Sequence, residues 1–130
     1  MKYQDLPSEE IIVKLISTSF ENPMLNYQIY KWGNAILPLI KFRESERVKL
    51  IKKYGSETEQ GIRVLTENID KFREEYIKVL EMDITEELPK LNLNESDFES
   101  CCYPKEKSMW LNAKEIATII DNAEKEKQGE

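Results

Sequence analysis

The chain has no histidine. That removes imidazole as general base, as metal ligand and as a titrating group near neutral pH, and with it Ser-His triads and Cys-His dyads. Cysteine is scarce: Cys101 and Cys102 are the only two in 130 residues, and they are adjacent. A disulfide between neighbours is strained, and two thiols without His partners do not make an ordinary zinc site. The expectation is a pair of buried, inert thiols in a reducing compartment. Glycine and proline total nine, against 40% hydrophobic and 34% charged residues, which describes a folding and mainly helical chain. No apolar run reaches the roughly 18 residues that a membrane span needs. The first ten residues carry one lysine and then turn acidic, unlike a secretory leader. Gly-rich phosphate loops, nucleophile elbows and Cys-pair metal motifs are missing too, so neither a catalytic residue nor a cofactor nor a metal is expected.

What is present is helical patterning. Ser8-Glu9-Glu10 reads as a capped helix start, followed by Ile11, Ile12, Leu15, Ile16 and Phe20 at helical spacing. Asn22-Pro23 opens a second helix, with Leu25, Ile29, Trp32 and Ile36 on one face. Pro38 predicts a kink or break near Ala35 to Leu37. A third helix then runs from Leu39 to Tyr54 and terminates at Gly55. Ser56 to Gln60 reads as a loop, and Gly61 to Leu65 as a short strand. Thr66 to Asn68 offer caps for a fourth helix carrying Ile69, Phe72, Tyr76, Val79 and Leu80. The third and fourth helices should form an antiparallel hairpin that buries Phe72 and Tyr76 against Phe42, Leu50 and Tyr54. Ile84 to Leu93 alternates in part and is expected to supply the second strand, pairing with Ile62 to Leu65. Asn94 to Pro104 reads as an irregular acidic connection. Asn112 and Glu115 have capping-box spacing, with Leu111 placed to staple onto Ile116. The expected architecture is therefore mainly α: a helical hairpin with additional N- and C-terminal helices and a small two-stranded element. It forms one domain over residues 1–123, with a charged tail at 124–130.

Charge is unevenly placed. With 19 basic and 25 acidic residues the net charge is −6, which favours solubility and disfavours direct nucleic-acid binding. From Lys41 to Lys53 six basic residues face two acids, and Arg43 and Arg47 are stacked one turn apart. This stretch reads either as an anion or acidic-partner site or as a solvated face cancelled by acids elsewhere; the second is preferred. From Asp83 to Glu99 six acids meet one lysine. Glu86, Glu87, Glu95 and Asp97 could imitate a nucleic-acid backbone, or simply keep an exposed segment solvated, and again the plain reading is preferred. A calcium loop is not indicated. Tyr27, Tyr30 and Trp32 lie within six residues. Such clusters are interface anchors as often as they are core.

Residues Leu37 to Phe98 carry Arg47-Val48-Lys49-Leu50-Ile51-Lys52-Lys53-Tyr54-Gly55, then Glu67-Asn68 with Phe72 and Glu75, then Glu81 to Leu93 and a closing Asp97. This block, with the final helix from Leu111 to Ile120, resembles a family of small uncharacterised phage proteins. They are encoded near the tail and lysis genes of phages of low-GC Gram-positive bacteria. The N-terminal third departs from that pattern. The resemblance implies a phage or prophage origin and a non-enzymatic role. The expectation is a protein that binds a phage structural protein, in the virion or in host cytoplasm. The alternative is an anti-defence inhibitor, for example of anti-CRISPR type, whose acidic surface blocks a groove on a host defence protein. Self-association remains open.

Overall fold

A computed structural model describes residues 1–128, with side chains as far as residue 123. The order is α1 (Glu9–Ser17), α2 (Pro23–Tyr54), β1 (Gly55–Thr58), β2 (Gly61–Val64), α3 (Ile69–Leu80) and α4 (Ala113–Gln128), with short 3-10 turns between. The molecule is mainly helical with one small antiparallel sheet. The expected tail at 124–130 is helical as far as Gln128, and its last two residues lie outside those described.

The start of α1 follows its sequence. The Ser8 hydroxyl accepts from the Ile11 amide at 3.4 Å, and Glu9 and Glu10 occupy the first turn, where the helix dipole favours negative charge. Asn26 then closes the connection to α2: its amide accepts from Phe20 N at 2.8 Å and donates to Phe20 O at 2.9 Å. Asn22 caps α2 by accepting from Met24 N at 3.0 Å, with Pro23 in the first turn.

The two helices expected on either side of Pro38 are one helix of 32 residues. At 1.5 Å per residue it is about 48 Å long. An internal proline removes a ladder bond and costs about 3 kcal/mol. Here Pro38 lies on the exposed side, while Trp32 and Ile36 before it and Leu39 and Ile40 after it are all buried in the same core. Breaking the rod at that point would lift one of those pairs out of the core.

Gly55 does end α2, but not in the left-handed conformation of the usual terminator; its backbone is extended, φ −100 and ψ 169. What requires glycine there is space. A Cβ would lie 2.8 Å from the Arg63 carbonyl oxygen and closer still to that of Ile51. β1 thus folds back over the end of α2, and its partner is β2, with Gly55 opposite Val64 and Thr58 opposite Gly61. The sheet was expected, but its second strand was misplaced: it is formed by the polar stretch read as a loop, not by Ile84 to Leu93. A tight turn makes neighbouring segments pair at little entropic cost. Gly61 supplies the positive φ, 111, and the Thr58 hydroxyl donates to Gly61 O at 2.7 Å.

α3 packs against α2, as the hairpin reading required. Asn68 does not cap it. Its amide instead donates to Tyr54 O at 3.1 Å, satisfying a carbonyl at the end of α2. Phe72 and Tyr76 meet each other at 5.8 Å between ring centroids and are half-buried. Phe42 is not their partner: it pairs with Tyr3 at 5.5 Å.

The fully buried core lies around the other half of α2. Trp32, Ile36, Ile12, Leu15, Leu91 and Ile119 are its most enclosed large side chains. Leu91, Leu93 and Leu111 reach it from extended chain, which explains the partial alternation of Ile84 to Leu93 without a strand. α4 begins with the expected capping box, Glu115 N to Asn112 Oδ1 at 2.8 Å and Asn112 N to Glu115 Oε1 at 3.1 Å. Leu111, Ile116, Ile119 and Ala123 pack into the core.

Candidate protein-interaction surface

The aromatic cluster divides. Trp32 has 0% of its surface exposed and is core, so it is not an interface anchor. Tyr27 and Tyr30 are 56% and 61% exposed. One helical turn separates residues three or four apart, which places Tyr27 and Tyr30 together on the outer side of α2. Met24, not singled out in the sequence, is 63% exposed a turn before Tyr27, and Lys31 lies over the Tyr27 ring at 5.4 Å. Tyr30 borders a groove of about 350 Å³ with Ile16, Ser17, Ser19 and Asn26. α1 approaches α2 closely there, because Gly33 presents no side chain to Ile16.

The arginines divide in another way. Arg43 is turned inward, donating to the carbonyls of Tyr3 at 3.0 Å, Leu6 at 2.8 Å and Pro7 at 3.0 Å. It therefore fastens the N-terminal segment to α2 instead of offering a guanidinium to an anion. Arg47 donates from Nε to both Glu44 oxygens, at 3.0 and 3.2 Å. That hydrogen bond holds the Glu44 carboxyl below the usual range. Lys49 pairs with Glu46 at 3.1 Å and Lys53 with Glu75 at 3.0 Å. The paired cations of this stretch take carboxylates from α2 itself or from α3. Lys41 and Lys52 take part in none of the ion pairs among the described residues. With Lys49, Val48, Ser45 and Glu9 they line a groove of about 420 Å³.

Of the acidic candidates, Glu86, Glu87 and Glu95 are exposed. Asp97 is half-buried and accepts from Asn94 N at 2.8 Å, which gives it a local capping role. No three acidic or thiol side chains among the described residues converge as metal ligands would. The cysteines correct one expectation. Cys101 is half-buried, with Sγ 3.2 Å from Phe98 O, but Cys102 is exposed. Its backbone pairs with Ser19, at 2.7 and 3.0 Å, and this pairing turns its side chain away from the core.

Sequence reasoning missed one contact entirely. Lys14 lies on the buried side of α1 and reaches Glu115 at 3.1 and 3.3 Å, with Glu10 at 3.4 Å. The hydrogen bond to Glu115 raises the Lys14 pKa. A lysine among the core-facing positions of α1 signals a carboxylate partner, but nothing in the chain shows that the partner stands 101 residues away. No helix among the described residues is long and apolar enough to cross a membrane. No family model, curated protein or solved structure matches the chain.

Proposed function

We propose that this chain acts by contact with another protein, as a small phage or prophage protein of the virion tail or of its assembly. The observation that carries the reading is the outward Tyr27 and Tyr30, which with Met24 and Ile16 form an aromatic and apolar surface on α1 and α2. Exposed aromatics next to a groove are the usual anchors of protein interfaces, because they bury much area at little entropic cost. The test is affinity purification of the full chain from infected cells, together with analysis of purified particles. A tail or assembly protein should be captured by the wild type and lost when Tyr27 and Tyr30 are both changed to Ala. Equal capture by the double variant would remove these residues from the interface.

The second reading, an anti-defence inhibitor, is favoured by the exposed Glu86, Glu87 and Glu95. Such an inhibitor acts in host cytoplasm, is absent from virions, and blocks a nucleic-acid groove through its negative field. Its affinity should fall steeply with salt, and Gln at those three positions should abolish inhibition.

A further inference from the structure

We infer that the groove between the end of α1 and the start of α2 receives an uncharged, apolar side chain of a partner protein. This rests on the protein-contact reading above and gives the partner its chemistry. Ile29 and Thr18 are buried parts of the groove wall, while Ile16 and Tyr30 are exposed. Among the described residues no charged side chain lines it, in a chain of which 34% is charged. Three other grooves of the surface hold Glu21 and Asp97, or Lys31, Glu87 and Lys90, or Glu9, Lys41 and Lys52.

By residue type the wall looks polar, since Ser17, Thr18, Ser19 and Asn26 contribute to it. Most of its polar atoms are already engaged. Ser17 Oγ donates to Val13 O at 2.8 Å, and Thr18 Oγ1 donates to Lys14 O at 2.9 Å. Asn26 commits its amide to both backbone groups of Phe20, and Ser19 its backbone to Cys102. The hydroxyls of Ser19 and Tyr30 remain, both on exposed residues where water can stay at the rim. Burying a polar atom without a partner is costly, and this wall has almost none for an apolar anchor to strand. An ammonium or carboxylate would find no opposite charge there, and burying it unpaired costs more still. A saccharide needs donors and acceptors in the wall and would find few not already engaged. An apolar side chain needs neither and gains cover from Ile16, Ile29 and the Tyr30 ring. The volume, about 350 Å³, is at the lower end of the range of binding pockets, which suits one bulky anchor. The groove is also preformed. Gly33 lets Ile16 close on α2, and the Ser19 pairing with Cys102 holds the chain beyond α1, so an anchor has little to order on arrival. Tyr30 belongs both to this groove and to the exposed surface with Tyr27, which would surround the seated anchor and exclude water.

The test is a proton–nitrogen NMR titration of the full chain with N-acetyl-phenylalaninamide, and with the corresponding lysine and glutamate amides and maltose for comparison. The phenylalanine amide should shift the backbone signals of Ile16, Ser19 and Tyr30. Its dissociation constant should be about tenfold or more below that of each comparison compound. Between about 0.05 and 0.5 M salt that constant should change by less than about twofold, since no ion pair forms. Ser17→Phe, which fills the groove with its own ring, and Tyr30→Ala, which removes one wall, should each raise it about tenfold. Tyr27→Ala lies outside the groove and should leave it unchanged. Ser17, Tyr27 and Tyr30 are exposed, so circular dichroism should show each variant folded. Absent shifts at these positions, equal binding of a charged amide or of maltose, or an affinity that neither Ser17→Phe nor Tyr30→Ala weakens would overturn the inference. Each of those outcomes would leave untouched the capture of a tail or assembly protein through Tyr27 and Tyr30, so the two readings fail separately.

Discussion

Residues 23–40 and 41–54 belong to one uninterrupted helix and both carry apolar side chains at helical spacing, yet they end in different surroundings. In the first stretch Leu25, Ile29, Trp32, Ile36, Leu39 and Ile40 are fully buried. In the second none is: Leu50, Ile51 and Tyr54 remain half-buried, and α3, which covers them, has no fully buried residue of its own. The difference lies in what covers the helix. The first half is covered by α1 and by α4 and the extended chain at Leu91, Leu93 and Leu111. The second half is covered by α3 and the two-stranded sheet and, at Phe42 and Arg43, by the N-terminal segment. An amphipathic stripe says which face wants cover, not how thick the cover will be, and burial follows the cover. Where apolar burial is thin, the packing is supplemented by polar contacts such as Lys53 to Glu75 and Asn68 to Tyr54 O.

The sharpest way to expose this contrast is truncation on each side of it. Trp32→Ala should cost about 3–5 kcal/mol, the range for emptying an aromatic site in a closed core. Urea unfolding should show the loss as a lower midpoint at nearly constant slope. Arg43→Ala comes next, at about 2–3 kcal/mol, because it removes three charge-assisted bonds to partly buried carbonyls. Its distinguishing sign is early proteolysis or hydrogen exchange in residues 2–7, ahead of global unfolding. Phe72→Ala should cost only about 1–2 kcal/mol, since the ring is half-buried. Amides of α3 should also exchange faster than those of α2 around Trp32. Equal losses for Trp32→Ala and Phe72→Ala, with uniform exchange, would show the two regions to be one cooperative core.

The smallest effect is one of pH. Burial, with a contribution from Glu86, raises the Tyr3 phenol, and the bond to Glu115 raises Lys14. Both groups hold their proton more tightly when folded. Their stabilisation is complete below the ordinary values and is lost as pH rises through the folded ones, so stability should decline above about pH 10. Thermal melts across that range should show a shallower decline for Tyr3→Phe. At the other end, Arg47 lowers Glu44 and Lys53 lowers Glu75, so their contributions are present above the ordinary carboxylate value and fade as pH falls below it. Both pairs are largely exposed, which keeps the acid effect slight.

Much of this was legible from residues a few positions apart. Ser8, Asn22 and the pair Asn112 and Glu115 cap the helices that their local spacing announces. Trp32 shows the limit of such reading. As a neighbour of Tyr27 and Tyr30 it looked like part of an interface, and as a member of the stripe with Leu25, Ile29 and Ile36 it looked like core; packing chose the second. Arg43 and Arg47, stacked a turn apart, looked like a pair, but one is turned toward the N-terminal carbonyls and the other toward Glu44.

By itself the sequence determined the helical class, the helix starts, the separation of charge along the chain and the lack of imidazole chemistry. Each of these depends on composition or on neighbours within about one turn. Only the tertiary structure decided that α2 runs unbroken through Pro38, that β1 forms from the polar stretch after Tyr54, that Lys14 meets Glu115, and that Tyr27 and Tyr30 face outward while Trp32 does not. Those outcomes depend on which distant segments cover a given face, and a burial gain shared among distant segments can outweigh a local preference of a few kcal/mol.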